Sequence, residues 1–99
     1  MKTDRLTDDE VIEKARWLLD NGITVLTSHF EQELAAANAT MQDAASVLLG
    51  KCKVESRRWD SRRKSYTYNL SGSDEDGDIL NIVVAFDFKG SKLILITAI

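Results

Sequence analysis

One histidine, two tyrosines and a run of arginines are the residues through which this chain could do chemistry. His29 is the single histidine. An imidazole titrates near neutrality, so His29 is a candidate general acid or base. It falls just after an expected strand, in the first turn of an expected helix. A hydrogen-bonded, inert histidine at a strand-to-helix corner fits the same spacing. Arg57, Arg58, Arg62, Arg63 and Lys64 lie in one short stretch, opposed locally by Asp60. Five cations and one anion give that stretch +4, so the rest of a chain of net charge −3 carries −7. Arginine forks bind phosphate oxygens in pairs. Trp59 sits among the cations, and Tyr66 and Tyr68 follow. Cations interleaved with aromatics suit single-stranded RNA, whose bases stack while its phosphates pair with charge. An exposed hairpin with solvated charges, and Trp59 packed on a sheet edge, is the competing explanation.

Other chemistries lack their residues. One cysteine, Cys52, allows no intramolecular disulfide and suits a reducing compartment. One His and one Cys far apart in sequence cannot form a structural zinc site. The acidic run Asp74-Glu75-Asp76-Gly77-Asp78 lacks EF-hand spacing and a closing bidentate Glu, so it reads as a solvated hairpin tip. There is no phosphate-binding glycine loop, dinucleotide fingerprint or nucleophile elbow. No metal or cofactor is therefore expected. A net charge of −3 disfavours general nucleic-acid binding, which leaves the basic stretch as a local feature. No apolar run approaches the roughly 18–20 residues that cross a bilayer. Met1 to Glu10 is polar and acidic-leaning, unlike a secretory leader. A soluble cytoplasmic protein is the expectation.

The 99 residues fit one domain, 1–99. Thr7-Asp8-Asp9-Glu10 is a capping box, with Leu6 and Val11 at staple positions. Val11, Ile12, Ala15, Leu18 and Leu19 then recur with helical period, Trp17 falls on the opposite face, and Gly22 is expected as a left-handed cap. Ile23 to Thr27 reads as a strand. Ser28-His29-Phe30-Glu31 reads as a second capping box, opening a helix from His29 to about Ala37 that Asn38 ends. Thr40 with Asp43 caps a third helix, which buries Met41, Ala44, Ala45 and Leu48 and stops at Gly50.

Beyond Gly50 the period changes. Lys51 to Arg58 has weak strand character. Ser65 to Leu70 alternates, with Tyr66, Tyr68 and Leu70 on one face and Thr67 and Asn69 on the other. Ser71 to Asp78 reads as a hairpin loop, Ile79 to Phe88 as an apolar strand, Lys89 to Lys92 as a turn and Leu93 to Ile99 as a final strand. The last two strands are apolar on both faces, which predicts a sheet centre covered on both sides. The expected architecture is α+β, with N-terminal helices packed on a C-terminal antiparallel sheet.

The order of these pieces carries a resemblance. Thr27-Ser28-His29-Phe30, Met41-Gln42-Asp43, Val47-Leu48-Leu49-Gly50, Val54-Glu55, Tyr66 to Gly72, Leu80 to Ala85 and Leu95-Ile96-Thr97-Ala98 together resemble domain of unknown function 4258 over about Ile23 to Ile99. That family is similar in fold to the RelE and MqsR type of messenger-RNA-cleaving toxins. The resemblance implies a RelE/MqsR-like two-layer fold and a toxin of a toxin–antitoxin pair, with RNA as substrate and a cognate antitoxin protein as partner. It implies metal-independent cleavage, in which a ribose 2′-OH attacks the adjacent phosphate. His29 would be the acid or base, and Tyr66 or Tyr68 would stack a base or orient the ribose. Arg57, Arg58, Arg62 and Arg63, with Lys64 and Trp59 beside them, would hold the RNA. Where many relatives carry a second His in the penultimate strand, this chain has Asn81, which hydrogen-bonds but exchanges no proton at neutral pH. A non-catalytic protein-interaction or RNA-binding module of the same fold is the alternative.

Overall fold

In the computed structural model, which describes residues 6–99, three helices precede most of a five-stranded sheet. Met1 to Arg5, the first half of the polar stretch Met1 to Glu10, lie outside the described residues. Thr7 caps α1 (Asp8–Asn21) through a reciprocal box: its Oγ1 accepts from the Glu10 N–H at 3.2 Å, and its own N–H donates to Glu10 Oε1 at 2.9 Å. Val11, Ala15 and Leu18 are buried, and Trp17 stays 57% exposed on the outer face.

Gly22 ends α1 in an extended conformation, not the left-handed one expected. Its need for glycine is steric. A Cβ at this position would lie 2.3 Å from the Ser91 carbonyl oxygen, which accepts the Ile23 N–H at 2.9 Å.

β1 (Ile23–Leu26) runs directly into α2 (Ser28–Ala36). The cap of α2 is Thr27 rather than Ser28, because the Thr27 Oγ1 reaches the Phe30 N–H at 3.1 Å. The same hydroxyl lies 3.0 Å from the Leu95 carbonyl oxygen and can donate to it, which ties the corner to the sheet. Asn38 leaves the helix at φ 54°, a left-handed position that asparagine tolerates. α3 (Met41–Leu49) is capped by Thr40 and Asp43 as expected. Its buried residues are Asp43, Ala44, Val47 and Leu48, whereas Met41 and Ala45 are half-buried.

Asp43 also fastens the far hairpin. Its carboxylate accepts the Thr40 N–H at 2.9 Å and the Glu75 N–H at 3.1 Å. These bonds, Thr40 first, hold its pKa below the ordinary carboxylate value. A folded-state pKa lowered in this way gives stabilisation that is complete above pH about 4 and lost as the pH falls through the folded value. Asp43→Asn is expected to flatten the fall in stability below pH 4 seen in urea melts. Equal pH slopes for variant and wild type would remove this role.

The remaining strands are β2 (Lys53–Asp60), β3 (Ser65–Ser73), β4 (Ile79–Asp87) and β5 (Lys92–Ala98). The sheet order is β1-β5-β4-β3-β2. β2 to β5 form the antiparallel part, but β1 joins β5 in parallel, so the sheet is mixed rather than wholly antiparallel.

All three helices contribute to one core, on the sheet face that carries Tyr68, Leu70, Ile82, Val84, Leu93 and Leu95. The expectation of two covered faces is corrected here. No described element packs over the second face, where Val83, Ile94 and Ile96 are half-buried and Ile23, Ile79 and Ile99 are more than half exposed. Adjacent β-branched side chains shield one another on a pleated surface, so an apolar strand does not require a covering layer. No described helix is long and apolar enough to cross a membrane.

Candidate functional site

Strand alternation and one bulge decide where the basic stretch points. Arg57 pairs with Tyr68 and Trp59 with Tyr66, so these four side chains share the helix-covered side. Arg57 serves the fold. It donates to the Leu6 carbonyl oxygen at 2.6 Å, bonds the Asp8 carboxylate and lies 5.3 Å from the centroid of the Tyr68 ring. Tyr68 is 3% exposed within the core, so its ring is not presented to a ligand. Trp59 meets Tyr66 edge-on, with centroids 5.3 Å apart.

Arg58 pairs with Thr67 and projects from the uncovered face. There, Arg58, Asp60, Ser61, Arg62, Thr67, Val83 and Ile96 line a cleft of about 370 Å³, which Trp59 also borders although its ring packs on Tyr66. A neighbouring depression of about 320 Å³ shares Arg58, Thr67 and Val83 and adds Ser56, Asn69 and Thr97. The two form one groove running from the β2 edge to β5.

Asp60 shapes the turn at the head of this groove. Its Oδ1 accepts the N–H of Arg62 at 2.9 Å and of Arg63 at 3.3 Å, and the Arg63 guanidinium lies 3.7 Å from Oδ2. Lys64 completes the turn at φ 52°. Arg63 and Lys64 border a separate shallow cleft of about 750 Å³ with Ala85, Asp87 and Ile94.

His29 stands elsewhere. It is on the exposed first turn of α2 and pairs with Glu33 one turn on. α2 follows β1, at one margin of the sheet, and the cationic turn follows β2, at the other. Four strand spacings separate them, roughly 19 Å at about 4.8 Å each. Along the strands they are offset by about three residues, roughly 10 Å, since Leu26 is level with Leu95, Val84, Tyr68 and Arg57. The sheet thus joins Arg58 and Arg62 and leaves His29 beyond the other margin.

The groove adds residues that charge and aromatic content do not reveal. Thr67 can donate from its hydroxyl to the Arg58 carbonyl oxygen at 3.3 Å. The Asn69 Oδ1 is buried and has no hydrogen-bond partner. Thr67 and Asn69 thus add a hydroxyl and an amide to the depression beside Arg58, with the Asn69 Oδ1 itself below the surface. The alternation of Ser65 to Leu70 was the signal that set Thr67 and Asn69 apart from the core.

Among the described residues, no group of three or more His, Cys, Asp or Glu side chains could hold a metal ion. Burial pushes the Cys52 thiol pKa up, which works against thiolate chemistry. No protein-family model, curated protein or solved structure matches this chain.

Proposed function

We propose that this chain is a toxin-like RNA-binding module that takes single-stranded RNA along the uncovered face of its sheet. The observation that carries this reading is the meeting of Arg58 and Arg62 in one cleft, continuous with Thr67 and Asn69. The guanidinium groups supply forked donors for phosphate, and the hydroxyl and amide suit ribose and base edges.

Cleavage by 2′-OH attack requires a proton acceptor and a proton donor beside the held phosphate. His29 lies at the opposite margin of the sheet and Tyr68 is in the core, so the geometry supports binding ahead of endonuclease activity.

Titration with a labelled single-stranded RNA tests this. Arg58→Ala and Arg62→Ala are each expected to weaken binding about tenfold, the loss of one charge-assisted contact. Each should also reduce the slope of log affinity against log salt by about 0.7. His29→Ala should bind like wild type, and the RNA should remain intact. Unchanged affinity in both arginine variants would overturn the binding surface. RNA cleavage that His29→Ala abolishes would replace the binding reading with the endonuclease one.

A further inference from the structure

Two turns leave the sheet at the same end. One joins β2 to β3 and the other joins β4 to β5, since Asp60 pairs with Ser65, Thr67 with Ala85 and Asp87 with Lys92. Both are built alike. Each opens on an aspartate whose Oδ1 accepts a backbone N–H three residues on, from Arg63 to Asp60 at 3.3 Å and from Gly90 to Asp87 at 3.1 Å. Each closes on a left-handed residue at φ 52°, Lys64 in one and Ser91 in the other. Lys89 therefore holds in the second turn the place that Arg62 holds in the first. Two strand spacings, roughly 10 Å at about 4.8 Å each, separate the turns.

This end of the sheet is cationic. Residues 60–65 and 87–92 set Arg62, Arg63, Lys64, Lys89 and Lys92 against Asp60 and Asp87, a local +3 in a chain of net charge −3. The turn at the other end, between Ser73 and Ile79, carries Asp74, Glu75, Asp76 and Asp78. Lys64 and Lys89 are exposed and have no ion-pair partner among the described residues. With Arg63 they line one cleft of about 750 Å³.

That cleft adjoins the Arg58–Arg62 groove. Arg63 on its wall follows Arg62 in the chain, and Ala85 on its wall pairs with Thr67 of the groove. An RNA strand held by Arg58 and Arg62 has two ways to continue. In one direction the depression beyond Arg58 is lined by the uncharged Ser56, Asn69 and Thr97 and leads toward the acidic turn, which repels phosphate. In the other direction the strand meets three further cations. Phosphates follow the cations, because each neutralised phosphate releases counterions.

We infer that the cleft between the two turns is a second phosphate site, where Lys64 and Lys89 hold the RNA strand as it leaves the groove past Arg62. The inference rests on the RNA reading and adds to it the direction of the strand and a contact residue, Lys89, outside the basic stretch of β2 and its turn.

A length series of labelled oligouridylates, from about three to about nine nucleotides, separates this site from the groove. Wild type is expected to bind the longest RNA about tenfold or more tighter than the shortest, as two further charged contacts form. The double variant Lys64→Gln with Lys89→Gln should bind the shortest RNA like wild type and lose that gain. For the longest RNA its slope of log affinity against log salt should be shallower by about 1.4, two contacts at about 0.7 each. Lys51→Gln removes a cation just before β2, at the acidic end, and should leave both readouts as in wild type. All three lysines are exposed, so the variants should keep the wild-type circular dichroism. A double variant that keeps the gain with length, or that weakens short and long RNA equally, would overturn the second site and leave the groove standing. Arg58→Ala and Arg62→Ala variants that bind every RNA like wild type would overturn the groove and the second site together.

Discussion

Replacing Phe30 with alanine is expected to remove about 3–5 kcal/mol of stability, a large share of what a domain of this size possesses. Phe30 is fully buried although it sits in the first turn of a surface helix, one residue from exposed His29. Its ring belongs to the core formed with α1, α3 and the covered face of the sheet. Truncation loses the transfer energy of the ring and leaves a cavity that three converging elements cannot close. Urea melts should show a lower midpoint with the slope kept, the sign of lost stability without a changed unfolded state. His29→Ala, at the neighbouring exposed position, should change stability by no more than about 0.5 kcal/mol. A Phe30→Ala loss near that small value would mean that α2 does not rest on the sheet as described.

Gly22→Ala should be nearly as damaging, at about 3 kcal/mol, the upper end of the range for overpacking. The added methyl would sit 2.3 Å from the Ser91 carbonyl oxygen and 3.0 Å from Leu18 Cδ2. The oxygen belongs to the backbone and cannot turn aside as a side chain would. It also anchors the Ile23 N–H at the start of the β1–β5 pairing. Relief of the clash should therefore push β1 away from β5. Thermal melts should show the loss, and amide exchange should rise in Ile23–Leu26 before the β3–β4 hairpin. A variant with wild-type melting and unchanged exchange would show that the approach of Ser91 to Gly22 is looser than drawn.

What could be read from the residues follows how local the controlling physics is. The caps at Thr7 and Thr40 were legible because a side-chain oxygen and a backbone N–H three residues away decide them. The cap of α2 was misplaced by one residue, since Thr27 and Ser28 are both competent and the sheet decides between them by presenting the Leu95 carbonyl oxygen. β1 was legible as a strand but not as a parallel one, because its partner lies about 70 residues on. The apolar pattern of β4 and β5 cannot say that one of their faces stays open, since mutual shielding and a covering layer use the same residues.

The candidate site divides in the same way. The cations were plain from composition, and the alternation of β3 separated Tyr68 from Thr67. That Arg57 and Arg58 point to opposite faces follows from alternation, but which of them meets the helices depends on register and on the bulge in β2, which no short window of sequence states. The separation of His29 from the arginines follows from strand order alone.

The parallel pairing of β1 with β5 also orders events in time. β1 and α2 come early in the chain, yet their hydrogen-bond partners Leu93, Leu95 and Ile96 are the last described strand. As the chain leaves the ribosome, α1 can form and the β2-to-β5 meander can build hairpin by hairpin from near neighbours. β1 must wait for β5. Closing so long a loop costs entropy that is recovered only when the pairing is complete. The β1–α2 corner bearing His29 is thus the last part of the sheet to set, while the β2–β3 hairpin that carries Arg58 is built from near neighbours.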